Sequence, residues 1–120
     1  MTLPIPKLRD KAWKLLSEIV RREEKECFTC GAKGNYKEAH AGHFRHGKEK
    51  ETYLMRENVH RQCVKCNLFL SGNATIYTLR MIDKYGRKKV DEIIYASYRI
   101  KRHKRSELDE LIIKLKEKLK

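Results

Sequence analysis

Four cysteines fall in two C-x-x-C pairs, Cys27-Phe-Thr-Cys30 and Cys63-Val-Lys-Cys66, and Asn67 directly follows the last of them. His40, His43, Asn58 and His60 lie between the pairs. Four thiolates at this spacing suit one tetrahedral zinc, since each pair can wrap one face of a metal across a tight turn. A redox dithiol is the weaker reading, because no βαβ unit surrounds either pair. The remaining polar residues can form a second, open site. Phosphodiester hydrolysis needs a base for water, a divalent cation to neutralise charge on the phosphate and the leaving oxygen, and a group that orients the base. A neutral histidine suits the base. An Asn oxygen and an imidazole nitrogen can ligate a cation while leaving positions open for phosphate and water.

Each of these residues also has a plainer use. His40 can be a surface strand residue. His60 can contact a phosphate or cap the knuckle, Asn58 can shape a turn, and Asn67 can cap a helix beside the thiolates. Their joint placement around one four-cysteine knot favours the chemical reading. Geometry sets a condition on it. His40 and His43 are three apart, so a regular strand points them to opposite faces. A bulge at Gly42 would re-aim one of them; without it only one can face a cation.

The elements that must hold these residues follow from periodicity. Leu8, Ala12, Leu15, Leu16, Ile19 and Val20 recur at helical spacing and predict an amphipathic helix over 7–25. Pro4 and Pro6 read as an extended lead-in. Cys27 to Gly31 reads as a knuckle, with Gly31 free to take a turn conformation. Residues 36–44 read as a strand, 45–56 as a charged loop, and a short helix is expected near Cys66. Ile76, Leu79, Ile82 and Tyr85 form one helical stripe that stops at Gly86. Val90, Ile93, Ile94 and Tyr98 form a second. Ser106 and Asp109 have capping-box spacing at the start of a last helix carrying Leu108, Leu111, Ile112, Leu115 and Leu119. The long insert between the cysteine pairs suits a treble-clef arrangement. The fold class is therefore α+β: a single domain over 1–120, with a small zinc-anchored ββα core over 27–72, an N-terminal helix, and a helical extension over 73–120.

The charge balance points to a partner. Lys and Arg number 29 against 16 Asp and Glu, a net of +13 on 120 residues. That much self-repulsion implies a polyanion, most simply nucleic acid, ahead of a membrane surface. A thermophile surface would enrich Glu along with Lys. No stretch reaches transmembrane length and no secretory leader is visible, so the chain reads as intracellular, where paired cysteines serve metals more than disulfides.

At these residues the chain resembles a known group. Asn58-x-x-x-x-Cys63-x-x-Cys66-Asn67, preceded by Cys27-x-x-Cys30 and the Gly42-His43 step, is similar to the HNH, or His-Me finger, nucleases. His40-Ala-Gly-His43-Phe44-Arg45, Asn58-x-His60-x-Gln62-Cys63-Val64-x-Cys66-Asn67 and Ser71-Gly72-Asn73 narrow the likeness to the NinG/Rap recombination proteins of lambdoid phages, over about 27–115. Phage endonuclease VII, a zinc-anchored junction resolvase, is similar in carrying an Asn after its last zinc cysteine. The resemblance implies a structure-selective endonuclease on D-loops and Holliday junctions in the cytoplasm of a phage-infected or prophage-carrying host. It implies structural Zn2+ on Cys27, Cys30, Cys63 and Cys66, a catalytic Mg2+ or Mn2+ on Asn67, His43 as general base and Asn58 as the residue holding the histidine loop. HNH nucleases commonly carry a ligating Asp before the base, and here that position is Gly42. Either His40 supplies the missing ligand, or His40 and His43 exchange roles; nitrogen ligands favour Mn2+ over Mg2+.

Three functions compete on this reading. The first is metal-dependent cutting of branched DNA, leaving a 5′-phosphate. Arg45, Lys48, His60, Arg61, Lys101, Arg102, Lys104 and Arg105 would then bind the nucleic acid. The second is a non-catalytic zinc module that binds DNA or assists recombination. The third is a sequence-specific nuclease, which would need a further recognition domain. A symmetric cut at a branch favours a homodimer, for which the apolar faces of the terminal helices offer surface; the same stripes can equally pack the core.

Overall fold

The computed structural model describes residues 2–120. The first helix, α1, runs Ile5–Glu23, with Pro4 as its N-cap and Pro6 inside its first turn. This corrects the extended reading of Pro6. Its locked φ suits a first helical turn, where the amide it lacks would have no partner anyway. The helix also ends before 25: Glu24 turns extended, at φ −91° and ψ 133°.

Strand β1 is His40–His43 and β2 is Val59–Gln62. They pair antiparallel in a two-stranded sheet, with His40 opposite Gln62, Ala41 opposite Arg61, Gly42 opposite His60 and His43 opposite Val59. The register is unbroken, so the bulge expected at Gly42 is absent. His40 and Gly42 therefore share one face and Ala41 and His43 the other. The expected strand is also shorter at its start. Tyr36–Glu38 is a single 3-10 turn, capped by the Asn35 side chain, which accepts from the Lys37 amide at 3.0 Å.

The first cysteine pair forms a knuckle in which the Gly31 amide donates to the Cys27 carbonyl at 2.8 Å, with Gly31 at φ +79°. The second pair runs into a π-helical turn, Lys65–Phe69, which is the short helix expected there. Helices α2 (Ala74–Tyr85), α3 (Arg87–Ala96) and α4 (Arg105–Lys118) complete the chain. The Gly86 amide closes α2 on the Ile82 carbonyl at 2.8 Å. The buried stripe of α2 is rotated from the one expected: Tyr77 and Met81 are its buried residues, and Leu79 is 54% exposed. Tyr98 lies beyond α3 and is exposed. Lys104 takes the N-cap of α4 without a side-chain cap, so Ser106 and Asp109 are helical and form no capping box.

Two apolar clusters hold the elements together. Leu8, Ala12, Leu16, Ile19 and Val20 of α1 pack with Val59 and with Leu108, Ile112 and Leu115 of α4. Each such burial stabilises by about 1.5–3 kcal/mol. The apolar faces that a second copy could have used are thus turned on each other. The second cluster joins Tyr77 and Met81 to Val90 and Ile93, with Phe28, Phe44 and Met55 against it. The charged loop is tied to the basic connector after α3 through Glu51 N to Arg99 O (3.0 Å) and Lys101 N to Glu49 O (2.8 Å).

Candidate metal centre and histidine site

The knuckle and the π-helical turn bring the four cysteines together. Their sulfurs all lie within 4.8 Å of one another, and Cys30 Sγ and Cys63 Sγ are 3.6 Å apart. That spread fits four sulfurs around one ion at Zn–S of about 2.3 Å. Among the described residues this is the only cluster of three or more Cys, His, Asp or Glu side chains so placed. Burial raises the Cys27 thiol, but hydrogen bonds from Thr29 and backbone amides override it and bring it to about 6. Cys30 accepts a lowering hydrogen bond from the Ala32 amide, yet burial and the neighbouring sulfurs push it up to about 12. A dication among the sulfurs would offset the repulsion that keeps them from ionising together.

One residue beyond this cluster, Asn67 leaves the π-helical turn half-buried and reaches β1. Its Nδ2 donates to His40 Nδ1 at 2.9 Å. Its oxygen turns toward Gly42: a Cβ added there would stand 3.0 Å from Asn67 Oδ1. The same hypothetical Cβ would stand 1.9 Å from Gln62 Oε1. Gln62 is fully buried, and its Nε2 donates to Gly72 O at 2.9 Å and Thr29 Oγ1 at 3.2 Å. Its Oε1 has no hydrogen-bond partner among the described residues. The Gly42 carbonyl accepts from Tyr77 Oη at 2.7 Å.

His43 faces the other way. Its ring stacks on Trp13 at 4.3 Å and on Tyr53 at 4.9 Å between centroids. Its Nε2 donates to the Tyr53 carbonyl at 2.9 Å, which fixes the tautomer and leaves Nδ1 as acceptor. Burial holds this imidazole below its ordinary 6.5; the Tyr53 carbonyl opposes that shift and the charge of His46 reinforces it. His43 lines a cavity of about 470 Å³ together with Arg45, His46, Ser71, Gly72 and Tyr98. Asn58, fully buried, fastens the chain just past His43: Oδ1 accepts from Arg45 N, while Nδ2 donates to Arg45 O, both at 2.8 Å, and to Thr52 O at 3.0 Å.

The strand thus brings His40 and Asn67 together and places His43 and Asn58 on its far side and end. His46 and Gln62 are residues whose part in the site the sequence reading missed. His-x-x-His-x-x-His spacing over 40, 43 and 46 was the signal for His46. Gln62 stands in the motif that carries the family likeness, but its place beside Gly42 comes from the pairing of β1 with β2 and could not be read from the pattern.

Two residues expected on nucleic acid are corrected. His60 has no exposed surface: its Nδ1 lies 2.8 Å from Glu24 Oε2, its ring stacks on Phe28 at 4.0 Å, and Tyr85 Oη lies 3.0 Å from Nε2. Arg61 is 5% exposed and donates to the carbonyls of Glu24 (3.0 Å) and Gly34 (2.7 Å). Both belong to the frame because they sit at the centre of a covered sheet. Lys48, Arg102 and Lys104 are exposed. Lys101 pairs with Glu107 at 3.0 Å, Arg105 bonds the Leu3 carbonyl, and Arg45 bonds Ser97 Oγ at 3.0 Å and Tyr98 Oη at 3.1 Å.

The family model described as Bacteriophage Lambda NinG protein matches residues 4–120. The ninG proteins of Escherichia phage lambda, Escherichia phage 933W and Salmonella phage P22 are each 31% identical over 86 residues, 69% of this chain and 42% of theirs. The aligned part is thus less than half the length of these relatives. No solved structure matches the chain.

Proposed function

This chain belongs to the NinG family, and from that premise we propose that it is a metal-dependent endonuclease of branched DNA, built on an HNH-type, treble-clef zinc core. The observation that carries this reading is the meeting of His40 and Asn67 one residue past the cysteine cluster. With the Asn67 amide turned over, so that its oxygen rather than its nitrogen stands beside His40 Nδ1, the two atoms would suit a divalent cation of Mn2+ type and leave its other positions open. When bound, the cation would neutralise charge on the scissile phosphate and the departing 3′ oxygen.

The side chains divide the remaining work. His40 contacts Asn67, so the ligand role falls to His40 and the base role to His43. His43 lies across β1 from His40 and lines the cavity with His46, Ser71 and Gly72, so its Nδ1 would take the proton from a water in that cavity, with the scissile phosphate reaching it around the end of the strand. Its Nε2–H stays on the Tyr53 carbonyl throughout, and the stacked Trp13 and Tyr53 rings fix the imidazole plane. Asn58 keeps the segment after His43 from swinging away. Lys48, Arg102 and Lys104, with the net charge of +13, hold the phosphate backbone, so the substrate is read by shape. A homodimer is the assembly that symmetric cutting of a junction calls for.

Incubation with a synthetic four-way junction and Mg2+ or Mn2+ tests the proposal. Strand cleavage leaving 5′-phosphate ends is expected. Binding without cleavage under either cation would leave the accessory DNA-binding module as the function.

A further inference from the structure

The cavity of about 470 Å³ beside His43 is lined by Arg45, His46, Lys50, Ser97 and Tyr98, and by no carboxylate among the described residues. Both chain neighbours of Lys50 are acidic, and both are turned elsewhere. Glu51 pairs with Arg99 at 2.5 Å, and Glu49 lines a separate recess with Arg9 and Lys101. Lys50 and the exposed His46 thus border the cavity with no acid opposite them. Such a lining suits a phosphodiester anion. The volume lies within the range of about 300–1,000 Å³ that holds one small organic molecule. A single nucleotide is of that size, whereas a base-paired duplex is far too broad to enter.

Tyr98 offers what a nucleotide needs besides a phosphate contact, a flat partner for the base. It lines the cavity and is yet 67% exposed. Its orientation is fixed. The Arg45 guanidinium lies over the ring, 5.3 Å from its centroid, and donates from Nη2 to Tyr98 Oη at 3.1 Å and from Nε to Ser97 Oγ at 3.0 Å. The Tyr98 amide donates to the Tyr95 carbonyl at 3.1 Å, which holds the turn at the end of α3. Arg45 is itself fastened through its amide and its carbonyl by Asn58, just past His43. One set of bonds therefore ties an open aromatic ring to the strand that carries the histidine. An exposed tyrosine alone signifies nothing. This one is clamped at the rim of a cavity suited to an anion, so it loses little freedom when a ring stacks on it.

We propose that this cavity takes one unpaired nucleotide of the DNA, with its phosphate beside Lys50 and His46 and its base stacked on the free face of Tyr98. This rests on the reading of the chain as acting on branched DNA, and it names the feature of the branch that is recognised. A nucleotide already without a partner costs less to draw out of the stack than one in a duplex. The site separates branch from duplex by that cost. It has no strong base preference, because every base offers a π-face.

The test is the affinity of the zinc-loaded full chain for three DNA probes, followed by fluorescence anisotropy without added Mg2+ or Mn2+. The first is a fork with one unpaired nucleotide at its branch point. The second has an abasic residue at that position, which keeps the phosphate and removes the base. The third is a fully paired duplex of the same length. The wild type is expected to bind the first about tenfold more tightly than the second, and the duplex more weakly than the first. Tyr98→Ala is expected to bind the first two equally, and Tyr98→Phe, which keeps the ring, to retain the preference. Lys50→Ala is expected to weaken both by a similar factor. Equal binding of the first two probes by the wild type overturns the inference, whether or not a variant folds. So does a Tyr98→Ala chain with its preference undiminished. A wild type that shows the preference but cuts no junction with Mg2+ or Mn2+ upholds the inference and overturns the nuclease proposal alone. One that cuts without the preference overturns the inference alone, and one that binds no DNA overturns both.

Discussion

His43 is the base in the proposed chemistry, and its setting makes a prediction about pH. The imidazole is held below 6.5 by burial, so it is neutral and able to accept a proton at neutral pH. A base with a depressed pKa is lost as pH falls through that depressed value and is fully available above it. The cleavage rate should therefore climb through the acid range and be level from about pH 7 upward. A log rate still rising between pH 7 and 8, measured in single turnover at saturating Mn2+, would assign the base elsewhere. The cysteine cluster was legible from type and spacing, because tetrahedral sulfur restricts which residues can serve, and so was the closeness of His40 and Asn67 that follows from it. The direction each histidine takes was not. It depended on whether β1 carries a bulge, and the unbroken pairing of Gly42 with His60 decides that. His60 and Arg61 show the same limit: a polar residue in a four-residue strand reads as a surface contact until the covering helix is known.

That covering element is α1, and its last residues do more than pack. Glu24, just past the helix, reaches His60 Nδ1, Arg56 Nη2 (2.9 Å) and the Arg61 amide (3.1 Å). Burial raises its carboxyl, but the His60 hydrogen bond and charge, the Arg61 amide and Arg56 outweigh this, so it sits below its ordinary 4.5. A carboxylate with a lowered folded pKa contributes stability that is complete above 4.5 and lost as pH falls through the folded value. Glu24→Ala should cost about 3 kcal/mol at pH 7 in urea unfolding, and the gap from wild type should narrow below pH 4. An equal gap at pH 7 and pH 3 would show that the carboxylate charge is not what is lost. The cysteine cluster is the other fixing device. The 3-10 and π-helical turns flanking it cannot form cores of their own, and a structural zinc site contributes on the order of 10 kcal/mol to small folds. One zinc per chain is expected by elemental analysis. Its removal by a chelator should abolish the cooperative melt while α1 and α4 retain part of their helical signal. An unchanged melting temperature after complete zinc loss would refute this. Helix existence was legible because the stripes of α1 and α4 have the 3.6-residue period. The phase of α2 was not, because Tyr77 and Met81 are buried by partners, Phe28 and Phe44, that the helix itself does not specify.

For the whole molecule, a net charge of +13 sets the form that the proposed DNA binding would take. Affinity should fall steeply with salt, and loss of Lys48, Arg102 or Lys104 to Ala should each lower the slope of log affinity against log salt by about one while leaving sequence preference unchanged. A slope unaltered in the triple variant would place the phosphate track on another face. The overall α+β layout follows from alternating periodicities and the cysteine knot, whereas the mutual packing of α1 and α4 over the sheet is a long-range outcome of which apolar stripes meet. In the proposed function this frame holds a cation at His40 and Asn67 on one face of β1 and the base His43 across the strand from it, at its end. The most direct measurement is single-turnover cleavage of a four-way junction with Mn2+ by the zinc-loaded wild type, His43→Ala and Asn67→Ala chains, each shown to bind the junction equally. The wild type should cut, and both variants should cut at least about 100-fold more slowly with binding intact. Cleavage by either variant at the wild-type rate would contradict the role given to that residue, and no cleavage by the wild type would contradict the account itself.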